Sequence, residues 1–327
     1  MTSPYRAQLR AITLSLAALL CAGPAVAQTY PTRPVHMIVA YPPGGTGDVV
    51  ARLLSDKLGA ALGQGIVVEN RSGASGAIGA RTVATAAPDG HMLLLGQTGE
   101  ISINQHWLKD LGYDPDKDLQ PVALCAVVPL ALVVPPKAPY TTMQEFLAFL
   151  KTGKPVTFAS AGIGTPGHFA GELLKLRTKA NMTHVPYKGA GPALNDLVGS
   201  HVDMYFPGFP AATPLVKAGS LKILAVSSAT RAPSAPDVPT VAEISGIDNF
   251  DFTLWGGVFA PRGTPKDVVA RLNAEINKIL ATEDIKNKFA VLGAEIRPMS
   301  VAQFTDFVHA ESEKYIGVIK ETGAKPD

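Results

Sequence analysis

Two glycine-rich stretches decide the fold: Tyr41-Pro-Pro-Gly-Gly-Thr-Gly-Asp48 and Ser160-Ala-Gly-Ile-Gly-Thr-Pro-Gly-His168. Each follows a short run of β-forming residues, at positions 35–40 and 156–159, and leads into an amphipathic helical pattern. The chain is therefore expected to contain two similar strand–loop–helix units. The backbone N–H groups of such a loop and the N-terminus of its helix attract anions without a positively charged side chain. Because neither loop contains Lys or Arg, two such loops facing each other predict a clamp on a small carboxylate ligand.

The N-terminus has the features of a secretory signal peptide. Two arginines lie in the first ten residues, residues 11–20 are apolar, and Ala25-Val-Ala27 is an A-x-A cleavage site, so we predict cleavage after Ala27. A membrane anchor would need about 20 apolar residues, more than this run supplies. A lipoprotein attached at Cys21 is disfavoured because Leu20 stands where a small residue would be expected. The mature chain is expected in an extracytoplasmic compartment.

Composition excludes several classes of protein. Residues 1–27 contain two of the 29 basic residues and no acid, so the mature chain carries 27 basic and 27 acidic residues. A neutral balance disfavours a nucleic-acid binder, which needs a basic face. Cys125 is the single mature cysteine, so no intramolecular disulfide can form. About 300 mature residues suit two domains.

Runs with β-type and helical patterns alternate along the chain, which predicts an α/β protein with largely parallel sheets. Strands are predicted at residues 35–40, 66–69, 92–97, 156–159, 183–187, 202–206, 223–227 and 252–260. Helices are predicted at residues 49–62, 77–87, 166–178 and 192–199, and after the capping signals at Thr142, Thr264 and Ser300.

Two segments, near residues 126–134 and 227–236, are expected to cross between two lobes. Lobe 1 would then comprise residues 28–125 and 229–327, and lobe 2 residues 126–228. Paired crossings are typical of a hinged clamp that binds its ligand between the lobes.

One motif suggests a different function. Gly162-Ile-Gly-Thr-Pro-Gly167 matches the dinucleotide fingerprint, which requires an acidic residue at the end of the next strand. That strand ends Thr183-His-Val-Pro-Tyr187, without an acid, so we expect no cofactor. Neither loop ends in the G-K-[ST] of a P-loop, a G-x-S-x-G elbow is absent, and the seven histidines lack H-E-x-x-H or H-x-H spacing. We therefore expect no bound metal.

Asp48 and His168 have alternative interpretations. Asp48 is expected to be a helix-start residue, and His168 a structural hydrogen-bonding residue on the first turn of its helix. The alternative is an exported hydrolase or isomerase that uses the two across the cleft. We expect no catalytic residue, and turnover of the ligand would distinguish the two hypotheses.

Further stretches resemble those of a known family. The chain resembles the Bug-type periplasmic solute-binding proteins, the receptors of tripartite tricarboxylate transporters. Besides the two glycine-rich loops, the resemblance rests on the following stretches: Tyr30-Pro-Thr-Arg-Pro34, Val68-Glu-Asn-Arg-Ser-Gly73, Pro88-Asp-Gly90, Val185-Pro-Tyr-Lys-Gly189, Asp203-Met-Tyr-Phe206 and Pro261-Arg-Gly-Thr-Pro265. They occur in order along nearly the whole mature chain.

The resemblance implies a two-lobed Venus-flytrap fold in which both loops hold ligand carboxylates, partly through water. Carried over to this sequence, the binding residues would be Tyr41, Pro43, Gly44, Gly45, Thr46, Asp48, Thr98, Ser160, Ala161, Gly162, Gly164, Thr165, His168, Pro207 and Gly208. The wall segment Pro207-Gly-Phe-Pro210 lacks the polar side chains of some relatives. The polarity of the pocket's far end therefore stays open.

The resemblance also implies a function. The protein would be a monomeric periplasmic receptor that binds a small organic acid and passes it transiently to integral membrane subunits of a tripartite transporter. A receptor that feeds a signalling system remains an alternative. The sequence does not indicate which carboxylate is bound.

Overall fold

Two five-stranded sheets form the centres of two lobes in the structure, a computed structural model that describes residues 30–323 and 325. The predicted signal peptide, residues 1–27, lies outside the described residues. Within the described part of the chain, no helix combines the length and the apolar character needed to cross a bilayer.

The first sheet contains the N-terminal strands and one strand from the C-terminal third. Its strands are β1 (Val35–Val39), β2 (Ile66–Asn70), β3 (Met92–Gln97), β4 (Leu119–Pro129) and β10 (Thr253–Pro261), in the order β2-β1-β3-β10-β4. Its helices are α1 (Thr46–Leu62), α2 (Ala77–Ala84), α3 (Asn104–Trp107), α4 (Pro115–Asp118), α10 (Lys266–Leu280), α11 (Glu283–Val291) and α12 (Val301–Thr322). A 3₁₀ turn, Ala74–Gly76, precedes α2, and a π-helical segment, Gly99–Ile103, precedes α3.

The second sheet repeats this arrangement with the central part of the chain. Its strands are β5 (Ala131–Val134), β6 (Val156–Ser160), β7 (Met182–Pro186), β8 (Met204–Tyr205) and β9 (Lys222–Val226), in the order β7-β6-β8-β5-β9. Its helices are α5 (Met143–Leu150), α6 (Pro166–Thr178), α7 (Ala190–Val198), α8 (Phe209–Lys217) and α9 (Val241–Ser245).

Each sheet is mixed, which corrects the expectation of largely parallel sheets. Four strands of each sheet run in one direction, but β10 runs antiparallel to its neighbours β3 and β4, and β5 runs antiparallel to its neighbours β8 and β9. The reason is that β5 and β10 are the first strands after the chain crosses from the other lobe. They enter their sheets from the cleft side, where the parallel strands end.

Most predicted elements are confirmed, with β3 matching residue for residue. Helix α1 begins at Thr46, three residues earlier than expected. Helix α8 was not predicted, because Pro210 and Pro214 disfavour a helix in sequence; Pro210 lies in the first turn, where proline is tolerated, and Pro214 lies inside. Strands β4 and β5 and the helices α3, α4, α9 and α11 were also missed.

The two crossings lie side by side and share one buried serine. Strand β4 pairs with β10 through Pro129 and β5 begins at Ala131, so the first crossing lies within the expected segment. Ser227, at the end of β9, donates its N–H to Leu130 O at 2.9 Å and accepts the Phe252 N–H at 3.0 Å on its carbonyl. Its buried hydroxyl also receives the Leu130 N–H at 3.0 Å.

The return crossing lies later than residues 227–236. Val241, Ile247 and Phe250 pack in the core of the second lobe, and the chain rejoins the first sheet only at Thr253. The cause is helix α9, which begins with a Thr240–Glu243 capping box. Its apolar side packs against α5 in the second lobe. The division of the chain into residues 28–125 plus 229–327 and 126–228 stays a prediction, and this packing favours a boundary near residue 252.

Helix α12 joins the two lobes on the side of the crossings. Its first half buries Phe304 and Val308 in the core of the first lobe, and its second half buries Tyr315 in the core of the second. Tyr315 packs against Phe169 of α6 and Phe252, with ring centroids 6.2 and 6.3 Å apart. Its hydroxyl has no hydrogen-bond partner among the described residues.

Paired substitutions of Tyr315 should separate the contribution of its ring from that of its hydroxyl. Tyr315→Ala removes a buried ring and should lower the free energy of unfolding by about 3–5 kcal/mol. Tyr315→Phe should leave it unchanged or raise it, since the lost hydroxyl makes no hydrogen bond. Urea unfolding of both variants measures this. A large loss in Tyr315→Phe would show that the hydroxyl is hydrogen-bonded after all.

Candidate functional site

The first glycine-rich loop joins β1 to α1. Gly44 has φ +84°, the left-handed region, whereas Gly45 has an extended φ of −78° and is the N-cap residue of α1. Asp48, 5 % exposed, accepts the Gly44 N–H at 3.1 Å, the Arg52 guanidinium at 3.0 Å and the Asn70 amide at 3.0 Å. Burial alone would raise the pKa of Asp48, but these hydrogen bonds hold it below its usual value. Asp48 therefore fixes the loop from behind.

The second loop joins β6 to α6 and is fixed by neutral groups. The buried Ser160 hydroxyl lies 2.9 Å from Gly162 O and 2.7 Å from His184 Nε2. The Thr165 hydroxyl donates to the same Gly162 carbonyl at 2.7 Å. Thr165 is thus the N-cap residue of α6 without a capping side-chain hydrogen bond.

A stack of aromatic rings lies under this loop. His168 stacks on His184 with ring centroids 4.1 Å apart, and its Nδ1 accepts the Gly164 N–H at 3.3 Å. Burial, with smaller effects of His168 and Lys175, lowers the pKa of His184 to about 3, so that ring is neutral at physiological pH. Because Ser160 has no exposed surface, the Ser160–His184 pair cannot reach a substrate and instead supports the loop.

A small cavity of about 50 Å³ lies between the two loops. Its lining is Tyr41, Gly45, Thr46, Gln97, Gly99, Leu130, Ala161, Thr165, Pro166, Gly167, Ala190, Tyr205, Phe206, Gly208 and Leu254. No charged side chain occurs in this lining, which lies wholly within residues 30–323. The volume holds one or two water molecules, so the lobes are closed, and a larger ligand requires them to part.

Four helices begin at this cavity. Helices α1, α6, α7 and α8 have Gly45, Thr165, Gly189 and Gly208 as their N-cap residues, and none of these makes a side-chain capping bond. Complete capping boxes start α5, α9 and α12, away from the cavity, whereas α10 and α11 also begin without a side-chain cap. The positive ends of four helix dipoles thus converge on one uncharged cavity, an arrangement suited to an anion.

Glycines allow the two lobes to approach this closely. A β-carbon at Gly164 in lobe 2 would lie 2.8 Å from the Asn104 Oδ1 of lobe 1, and one at Gly189 would lie 2.7 Å from Pro42. A β-carbon at Gly208 would likewise lie 2.4 Å from the Thr46 hydroxyl oxygen. Larger residues at these positions would hold the lobes apart.

The structure brings six of the residues expected to bind ligand to the cavity surface: Tyr41, Gly45, Thr46, Ala161, Thr165 and Gly208. Gly162 lines a neighbouring outer groove. The following residues support the loops instead of lining the cavity: Pro43, Gly44, Asp48, Ser160, Gly164, His168 and Pro207. The Pro207 carbonyl, for example, accepts the Ala131 N–H at 2.9 Å.

Thr98 does not form a wall of the cavity, contrary to expectation. Its side chain is completely buried, and its hydroxyl oxygen accepts the Trp255 N–H at 3.0 Å. The chain turns sharply after β3, so Gln97 and Gly99 face the cavity in its place.

Sequence reasoning missed the N-termini of α7 and α8. Local signals existed for both, namely Gly189 followed by Pro192, and Gly208 followed by Pro210, since proline favours the first turn of a helix. Leu130 and Leu254 carry no local signal, because their position at the cavity depends on where the two crossings run.

The outer groove adjoins the cavity at Tyr41 and Ala161 and has a volume of about 530 Å³. Its first-lobe side is formed by residues 72–76, where Ala74 and Ser75 have φ +45° and +50°. Lys188 is the one charged residue of this lining, all of which lies in the described part of the chain.

Glu100 lies directly behind the first-lobe wall of the cavity and is completely buried. Its Oε1 accepts the Gln97 N–H at 2.7 Å, while Oε2 has no partner at hydrogen-bond distance among the described residues. Burial raises the pKa of Glu100 to about 8, against the opposing effects of backbone hydrogen bonds and of the nearby Tyr41 hydroxyl. The carboxyl group is therefore mostly protonated at neutral pH.

Known proteins resemble the chain over most of its length. Residues 50–324 match the family model described as "Tripartite tricarboxylate transporter family receptor". Protein BugT of Bordetella pertussis is 38% identical over 320 residues, 97% of this chain and 98% of the relative.

Two solved structures share the fold at similar identity. One is R. palustris Rpa4515 with adipate, which is 35% identical with a TM-score of 0.88 and covers 91% of this chain and 100% of that chain. The other is MatC (Rpa3494) from Rhodopseudomonas palustris with bound malate, which is 35% identical with a TM-score of 0.83 and covers 89% of this chain and 100% of that chain.

Replacement of Glu100 by glutamine should change how stability depends on pH. A carboxyl group with a pKa of about 8 in the folded protein and about 4.3 in the unfolded chain binds more protons when folded between these pH values. The free energy of unfolding should therefore fall as the pH rises through this window. Glu100→Gln should lack this part of the decline. Urea unfolding from about pH 5 to about pH 9 measures it, and equal slopes in both proteins would mean that Glu100 is ionised when folded.

Proposed function

This chain belongs to the tripartite tricarboxylate transporter receptor family, and from this we propose that it captures a small organic acid between its lobes and delivers it to the membrane subunits of a transporter. The protein is a periplasmic receptor for a carboxylate and not an enzyme. The observation that carries the mode of binding is the convergence of four uncapped helix N-termini on an uncharged cavity.

The ligand carboxylate would be held by backbone N–H groups and by the hydroxyl of Thr46, which lines the cavity. The hydroxyls of Tyr41 and Thr165 already donate to Ser75 O and Gly162 O. Hydrogen bonds to a charged acceptor contribute about 1.5–3 kcal/mol each. Several of them, formed as closure excludes water, suffice for the roughly 8 kcal/mol of micromolar binding. Asp48 does not oppose the anion, since Arg52 pairs with it.

The class of ligand that we favour is a small dicarboxylate. Two relatives of similar fold were solved with adipate and with malate. In this chain the cavity offers no counter-charge for a second carboxylate, but the adjoining groove carries Lys188. An extended acid could therefore place one end at the helix N-termini and the other near this lysine.

Export and delivery complete the proposal. Cleavage after Ala27 would release the mature protein into the periplasm, where it acts as a monomer and meets its membrane partners transiently. The family description supports a transporter as the partner. A signalling partner is the alternative, and genes for membrane subunits beside this one would decide between them.

Titration calorimetry with adipate and its neutral diamide tests the carboxylate clamp. Adipate should bind, and the diamide should bind at least about tenfold more weakly, because it offers a neutral acceptor to N–H groups that favour an anion. Raising the salt concentration should weaken adipate binding only slightly, since the site is enclosed and acts at short range.

Two results would argue against this mode of binding. Equal affinity for the acid and the diamide would rule out recognition of charge. A steep dependence on salt would indicate that an exposed cation, such as Lys188, supplies most of the attraction. Malate serves as the second acid, so that a mismatch in chain length is distinguished from loss of the site.

Gly164→Ala should impair binding of adipate by preventing closure. The β-carbon would lie 2.8 Å from Asn104 Oδ1 in the other lobe, at a residue with φ +75°. Gly219→Ala is the matched control, because Gly219 has φ +69° and no atom within 4 Å of the added carbon. Both variants should lose about 1–2 kcal/mol of stability from the left-handed backbone, but only Gly164→Ala should bind adipate more weakly. Normal binding by Gly164→Ala would show that the ligand-bound form does not need the lobes to approach this closely at Gly164.

A further inference from the structure

The cavity wall of the first lobe rests on an acid that has no counter-charge. Glu100 follows directly on Gln97 and Gly99, which line the cavity, and its Oε1 accepts the Gln97 N–H at 2.7 Å. A β-carbon on Gly76 would lie 3.2 Å from both Glu100 Oε2 and the Tyr41 hydroxyl oxygen, so these two atoms face the same narrow space. Tyr41 also lines the cavity.

The proton on Glu100 decides whether this arrangement is favourable. A protonated Oε2 is neutral and stands beside the Tyr41 oxygen, whose hydroxyl donates its own proton to Ser75 O at 3.1 Å. Glu100, bonded to the Gln97 N–H, and Tyr41, bonded to Ser75 O, then pack together without a charge between them. This contact joins the end of β3, the first loop and the segment at residues 72–76.

Ionisation of Glu100 would make this arrangement unfavourable. Its Oε2 would be a buried negative oxygen without a donor, which is costly in a low-dielectric interior. The same charge would stand in the wall of a cavity that receives an anion, where little water screens the repulsion. Either effect moves Tyr41 and the Gln97–Gly99 turn away from the positions that bind ligand.

We propose that Glu100 is a positioning residue that holds the first-lobe wall in its binding form only while it carries a proton, so that the receptor takes up a proton together with its anionic ligand. This proposal rests on the proposed function of the cavity. Linkage makes the coupling reciprocal: protonation favours the anion, and the bound anion favours protonation.

The groups that surround Glu100 do not titrate in its place. Tyr41 and Tyr113, whose hydroxyl donates to Glu100 O at 2.6 Å, stay neutral because burial raises the pKa of each well above its usual value. From the neighbouring α4 and α12, Asp116 and Glu313 act on His106, whose pKa burial lowers. The raised pKa of Glu100 lies in the range where proton uptake can be measured.

Calorimetry with adipate across the pH range tests the coupling. Both carboxyl groups of adipate titrate near pH 4–5, so the ligand keeps its charge from about pH 6.5 to about pH 9.5. With a pKa of about 8 for Glu100, the wild-type affinity should fall by about thirtyfold over this range, whereas Glu100→Gln should keep one affinity. At about pH 8 the wild type should take up roughly half a proton on binding, seen as a heat that depends on the ionisation enthalpy of the buffer, and Glu100→Gln should take up none.

Glu311→Gln is the matched control. Glu311 is also buried and also has an unpartnered Oε2 among the described residues, but its Oε1 pairs with Lys314 at 2.8 Å and it lies on α12 outside the cavity. This variant should follow the wild-type pH profile. If the wild type and Glu100→Gln share one profile and one proton count, the proposal is wrong and the receptor function stands. If neither adipate nor malate binds the wild type at about pH 6.5, the assignment to dicarboxylates fails and this proposal fails with it.

Discussion

An anion enclosed between two lobes loses its water on every side, and the protein must replace that water with donors while adding no competing charge. This constraint accounts for the architecture around the cavity. Four helices begin there without side-chain caps. The parallel strands of each lobe end at the same edge, as ligand sites of open α/β sheets require. The antiparallel β5 and β10 then bring the crossings to that edge too.

The crossings convert two separate sheets into one clamp. Ser227 makes hydrogen bonds to Leu130 in the first crossing and to Phe252 in the return crossing. Helix α12 adds a rigid link, because it buries side chains in both cores. Closure is permitted where glycines meet the opposite lobe, at Gly164, Gly189 and Gly208.

Sequence reasoning reached the parts of the site that local chemistry determines. Both loops were identified because glycine and proline patterns between a strand and a helix have few other structural meanings. Thr98 was misplaced because the direction of a side chain at a sharp turn depends on its tertiary partner, here the Trp255 N–H. Leu130 and Leu254 could not be found, since the path of the crossings brings them to the cavity. From the sequence, Glu100 would be taken for an ordinary surface acid. Only its complete burial in the structure distinguishes it from one.

The two lobes repeat one topology but stabilise their loops by different physical means. The first loop depends on charge: Asp48 is held by Arg52 and Asn70, and protonated Glu100 lies behind Tyr41. The second depends on neutral contacts, with Ser160 against a stacked pair of histidines. A change in pH near neutrality therefore acts on the first lobe through Glu100, while the pKa of about 3 keeps His184 uncharged in the second. Since the ligand needs both loops at once, the lobe that titrates sets the pH range of the whole clamp, and the neutral lobe supplies an anion site that does not change within that range.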